Sequence, residues 1–162
     1  MYFLLKAIDM YFNNIEGFFW SKWLLKFINR FFFKGKRFLV EKSLYFSFFL
    51  LKKKLCVCSI FLFFEVLEKI KPIISLNIYK LKKSKVKKLC ATPFIGKFAV
   101  QYKKGIFWLS KAIKLRKEQK LSIKIFYEFY DINYFNLGKA LQKKKEYYKY
   151  FLFFKITKRF KW

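Results

Sequence analysis

Residues 56–95 read CVCSIFLFFEVLEKIKPIISLNIYKLKKSKVKKLCATPFI, and their texture changes three times. The stretch 56–70 is almost continuously apolar with helical spacing, and Pro72 stops it, because proline removes a backbone donor and disfavours helix in the residue before it. The stretch 72–79 is rich in β-branched residues and partly alternating, which predicts a strand. A basic run, 80–88, follows, broken by Leu81, Ser84 and Val86. The return, 89–95, contains Pro93, which suits an edge strand. A helix that hands over to a β-hairpin with a basic tip is the simplest account.

Upstream, Trp20, Trp23, Leu24, Phe27, Ile28 and Phe31 fall on one helical face, with Lys22, Lys26 and Arg30 mostly elsewhere. Gly35 lies where that helix should stop, inside the basic loop Lys34-Gly35-Lys36-Arg37. A second helix is expected over 38–51. The apolar runs 44–51 and 55–64 are separated by Lys52, Lys53 and Lys54, so they read as two buried helix segments joined by a basic turn. A membrane span needs about 20 apolar residues without central charges, and neither run supplies them.

Downstream, helical spacing returns three times. Ile106, Trp108, Leu109, Ala112, Ile113 and Leu115 make one helix. Leu121, Ile125, Phe126, Phe129 and Tyr130 make the next, and Leu137, Ala140, Leu141, Tyr148 and Phe151 the last, beginning near Gly138. The order is three helices, a hairpin near 73–95, and three helices: a mainly α fold, with one domain over 20–162 and a divergent extension over 1–19.

Charge points to the partner class. The net charge is +28, from 37 Lys and Arg against 9 Asp and Glu, and self-repulsion of that size calls for a polyanion. Only Arg30, Arg37, Arg116 and Arg159 are arginines, although the guanidinium fork suits phosphate better than an ammonium. The excess of Phe, Lys, Ile, Tyr and Asn follows A/T-rich codon usage, a drift common in organelle genomes. The first twenty residues carry Asp9 and Glu16 and a single Lys, unlike a transit or signal peptide. Synthesis inside an organelle is the expectation.

Catalysis has little to stand on. There is no His and no Gly-rich nucleotide loop. Glu128 and Asp131, near Lys124, read as surface ion pairs. Cys56, Cys58 and Cys90 fall short of a four-ligand zinc site and read as buried or incidental thiols, so no metal or cofactor is expected. Trp108 reads as core. Two competing functions remain at this level: a basic amphipathic protein lying on an anionic membrane surface, or a nucleic-acid-binding protein outside the ribosome.

The residues also resemble a family, protein seven of the small ribosomal subunit in its bacterial type. Lys26-Phe27-Ile28-Asn29, followed after five residues by Gly35-Lys36-Arg37, resembles that family's first helix and basic loop. Phe64-Glu65-Val66 with Lys71-Pro72 resembles the end of its third helix. Pro93, Trp108, Gly138, Ala140 and the terminal Lys161-Trp162 stand at its spacing. The hairpin here is longer and lacks the family's paired tip glycines. Val100-Gln101 occupies the place of an arginine pair, with Lys103-Lys104 as substitutes.

The resemblance implies a six-helix bundle with an extended β-hairpin between the third and fourth helices. It implies a structural role: binding the 3′ major (head) domain of the small-subunit ribosomal RNA, nucleating head assembly and contacting neighbouring head proteins, with the hairpin near the exit-site tRNA and the mRNA path. A mitochondrial ribosome in the matrix is the first choice of location and a plastid-type organelle the second, without membrane insertion.

The candidate RNA contacts are the loop residues Lys34, Lys36 and Arg37. With them stand Lys80, Lys82, Lys83, Lys85, Lys87 and Lys88 of the hairpin, and Lys97, Lys103 and Lys104 at the next helix. Lys139, Lys143, Lys144 and Lys145 belong to the last helix, and Lys158, Arg159, Lys161 and Trp162 to the tail. Each ammonium placed on a phosphate releases condensed counterions, and folded RNA is read largely through phosphate and 2′-hydroxyl contacts.

Overall fold

The structure, a computed structural model, describes residues 15–31, 35–81 and 88–157. Six helices and one hairpin follow in the expected order: α1 (Ile15–Ile28), α2 (Arg37–Leu55), α3 (Ser59–Ile70), β1 (Ile74–Leu81), β2 (Lys88–Ile95), α4 (Phe98–Lys114), α5 (Leu121–Tyr130) and α6 (Lys139–Thr157). A π-helical turn, Asp131–Phe135, extends α5. Helix α1 begins within the stretch read from sequence as an extension.

One aromatic knot organises the bundle. Phe27 of α1 lies 5.3 Å from Phe63 of α3, Phe63 lies 6.0 Å from Phe129 of α5, and Phe48 of α2 lies 6.2 Å from Phe129, centroid to centroid. Leu44, Leu51, Leu67, Ile70, Leu109, Ile113 and Ile125 close around these rings, all essentially buried. Each such side chain contributes about 1.5–3 kcal/mol by leaving water, so helices with weak individual propensity become one body.

Three boundaries depart from the sequence reading. Lys52, Lys53 and Lys54 do not form a turn; they are the last turn of α2. Lysine is a good helix former, and its charge complements the negative helix end. The break comes at Cys56, whose φ of 54° is left-handed and whose N–H donates to the Lys52 carbonyl at 2.9 Å. Helix α3 therefore starts at Ser59, not Cys56, and the buried Ser59 hydroxyl donates to the Phe48 carbonyl at 2.6 Å, tying α3 to α2. The thiols of Cys56 and Cys58 are exposed rather than buried. Gly35, with φ +75°, marks the entry to α2 and not the end of α1, since the Arg37 N–H donates to its carbonyl. Helix α1 already ends at Ile28, closed by turns from Arg30 and Phe31 back to Phe27 and Ile28.

The hairpin pairs Ile74 with Ile95 through to Leu81 with Lys88, placing Pro93 opposite Leu76. Its root is fastened to α4 and α6. Gln101 donates from Nε2 to the carbonyls of Gly96 (2.8 Å) and Ile73 (3.3 Å), and the Tyr148 hydroxyl accepts the Ile73 N–H at 3.1 Å. Gln101 stands where the resembled family carries an arginine; here it is buried and serves the hairpin root. Among the described residues no helix is long and apolar enough to cross a membrane.

Candidate nucleic-acid interface

The sequence contains no Asp or Glu from 17 to 40 or from 69 to 117. Those two acid-free stretches become most of α1, the basic loop, the hairpin and α4. Helices α1 and α4 pack together, so cations of both meet, and neither stretch supplies a carboxylate; Glu68 of α3 reaches the seam from outside them, accepting from the Tyr102 hydroxyl, whose ring stacks on Trp23. Lys22 and Lys26 of α1 face Lys103 of α4 closely enough that the Lys26 pKa is lowered, first by burial and then by repulsion from Lys103 and Lys22. The Lys26 ammonium lies 4.2 Å from the Trp23 ring centroid, a cation–π contact that holds the stem without neutralising the charge. Next to them, Phe107 is approached by two cations: the Arg30 guanidinium at 5.2 Å and the Lys111 ammonium at 4.4 Å from its centroid.

Lys22, Lys26, Arg30, Lys111 and Lys114 were not singled out from sequence. A signal was there: Lys22, Lys26 and Arg30 recur every four residues, as do Lys103, Phe107 and Lys111, which is one stripe on each helix. The absence of acids on both stripes was the stronger clue.

The expected site residues divide sharply. Lys36, Lys97, Lys103 and Lys145 are exposed. Arg37 is also exposed, but its Nε donates to Glu41 at 2.7 Å, which blunts its charge. Lys104 is held inward, donating to the Ser75 hydroxyl at 3.1 Å and the Tyr147 hydroxyl at 3.4 Å. Lys139 donates to the Leu115 carbonyl at 3.0 Å and Lys144 to the Lys69 carbonyl at 2.6 Å. The pKa of Lys144 is lowered by burial and then by Lys71, and that of Lys143 by burial and then by Lys111. Lys80 and Lys88 stand on β1 and β2 near the hairpin tip. Lys34, Lys82, Lys83, Lys85, Lys87, Lys158, Arg159, Lys161 and Trp162 lie outside the described residues.

Glu128 and Asp131 are not a surface pair with Lys124. Glu128 is fully buried, and Arg116 donates to it from Nε at 2.7 Å, to Glu118 from Nη1 at 3.2 Å and to Asp131 from Nη2. The second Glu128 oxygen accepts the Ala140 N–H at 3.0 Å, satisfying a free donor in the first turn of α6. Gly138 is required beside it, because a Cβ there would run into Ile132 and Glu128. The cluster is architectural, not catalytic. Trp108 is half-buried against the core and packs 5.2 Å from Tyr147. Among the described residues no His, Cys, Asp or Glu cluster could hold a metal.

A helical body that brings cations of α1 and α4 together and carries lysines along a β-hairpin is a nucleic-acid-binding architecture. Residues 11–150 match the family model described as Ribosomal protein S7p/S5e, and the chain belongs to that family. It is accordingly a structural protein of the small ribosomal subunit that binds ribosomal RNA. No individual curated protein matches the chain.

Proposed function

We propose that the chain binds the 3′ major (head) domain of the small-subunit RNA and helps nucleate head assembly. In this reading the α1–α4 face grips folded RNA and the hairpin reaches toward the exit-site tRNA and the mRNA path. The observation that carries it is the cationic face of Lys22, Lys26 and Lys103, built from stretches without Asp or Glu and continuous through α4 with the hairpin root. Unneutralised like charges held together cost free energy in the free chain, and phosphates remove that cost. Exposed aromatics such as Phe46, Phe49 and Phe61 suit neighbouring head proteins. The bias toward Phe, Lys, Ile, Tyr and Asn supports an organellar ribosome, mitochondrial first and plastid second.

Crosslinking with RNA sequencing on ribosomal particles from purified mitochondria tests this. Reads should concentrate in the 3′ domain of the small-subunit RNA. Reads concentrated in another domain would overturn the head assignment, and absence of the chain from those particles would overturn the location.

A further inference from the structure

An open groove of about 500 Å³ lies between α2 and α5, lined by Leu50, Lys53, Lys54, Ile123, Phe126 and Tyr127. It shares no residue with the α1–α4 face. Of its two lining rings, Phe126 begins an aromatic ladder that continues beyond the groove. Phe126 and Tyr130 are parallel within 12° at 6.0 Å, and Tyr130 and Tyr134 within 24° at 4.9 Å. The Lys54 ammonium sits 4.1 Å from the Tyr130 centroid and 5.6 Å from that of Phe126. Tyr127, 42% exposed, is the more open of the two lining rings and meets Phe126 edge to face at 5.3 Å. The only charged lining residues are Lys53 and Lys54, and among the described residues neither is paired with a carboxylate.

We infer that this groove seats one unstacked nucleotide of single-stranded RNA, its base on Tyr127 and its phosphate on Lys53 and Lys54. Planar apolar rings bordered by ammoniums are the chemistry that captures a splayed base without regard to sequence. The volume lies in the range of small-ligand sites, large enough for a nucleotide. Charge complementarity argues for an anion, and the chain's other partner is already RNA. The inference rests on the RNA-binding role but not on which RNA domain the α1–α4 face contacts. An acidic peptide is the rival occupant, and the test separates them.

The full chain is irradiated with an eight-nucleotide oligouridine, and adducts are mapped by mass spectrometry. Adducts are expected on peptides spanning 50–54 and 123–134. Tyr127→Leu combined with Lys53→Gln should weaken oligouridine binding about 10-fold, the scale of one lost base stack, while binding to a fully paired RNA hairpin stays unchanged. Both side chains are substantially exposed, and thermal unfolding by circular dichroism confirms that the variant folds. Adducts confined to other peptides, or unchanged oligouridine affinity, would overturn the groove while leaving hairpin binding and the α1–α4 face intact. Loss of all RNA binding by the unaltered chain would instead overturn the RNA role itself. An octaglutamate peptide that displaces oligouridine at equal concentration makes the groove a protein dock and overturns the nucleotide assignment.

Discussion

The α1–α4 face and the Arg116 cluster between α5 and α6 treat charge in opposite ways. On the first, burial and then the charges of Lys103 and Lys22 push the Lys26 pKa down. In the second, one guanidinium gathers Glu118, Glu128 and Asp131. Burial alone would lower the Arg116 pKa, but hydrogen bonds to Asp131 and Glu128, with their charges, outweigh it and hold it above the ordinary value. The Glu118 pKa is lowered despite burial, by backbone and Arg116 hydrogen bonds and then by the Arg116 and Lys124 charges. A cation that completes the fold is answered within the chain; a cation meant for a partner is not. Lysines such as Lys104, Lys139 and Lys144 fall between, because neutral oxygens orient them without cancelling their charge.

The sharpest break of that contrast is Arg116→Met. It leaves the fully buried Glu128 with the Ala140 N–H and only the more distant charge of Lys143, and stranding one member of a buried pair costs about 3–5 kcal/mol. Urea unfolding should show the loss, and the double variant Arg116→Met with Glu128→Leu should recover much of it. A single variant within about 0.5 kcal/mol of the parent, the range of ordinary surface changes, would mean the cluster does not organise α6.

A smaller effect separates answered from unanswered lysines. Replacing Lys22, Lys26 and Lys103 with Gln should reduce the slope of log affinity for ribosomal RNA against log salt by about 2–3 units. The matched triple Lys104→Gln, Lys139→Gln and Lys144→Gln should change that slope by about one unit or less and lower thermal stability instead. Equal slopes for the two triples would erase the distinction.

The architecture was legible because large apolar residues recur at helical spacing and Pro72 and Pro93 punctuate the hairpin. The boundaries were less so. Lys52, Lys53 and Lys54 look like a loop by polarity yet are good helix formers at a favourable helix end, and the left-handed turn at Cys56 has no residue signature. Of the candidate contacts, Lys36, Lys97, Lys103 and Lys145 are exposed, as their charge alone leads one to expect. The inward ties of Lys104, Lys139 and Lys144 could not, because serine hydroxyls and backbone carbonyls are everywhere in a sequence. The α1–α4 stripe was written in the chain as a pattern of missing acids, which shows only when two helices are known to be neighbours.

The finest test of the comparison is a proton. The Lys26 pKa in the free chain is below 10.5, so it gives up its proton at a lower pH than an ordinary lysine. The folded value is depressed, so the unfolded chain holds more protons between that value and 10.5. The resulting penalty on stability is full at neutral pH and is relieved as pH rises through that window. A phosphate at Lys26 reverses the balance by favouring the charged form. RNA binding within that window should therefore take up a fraction of a proton, and affinity should fall as pH rises toward 10.5. Calorimetry in two buffers of different ionisation enthalpy reads the uptake directly. Lys26→Gln should reduce it; undiminished uptake in that variant would place the phosphates somewhere other than the α1–α4 face.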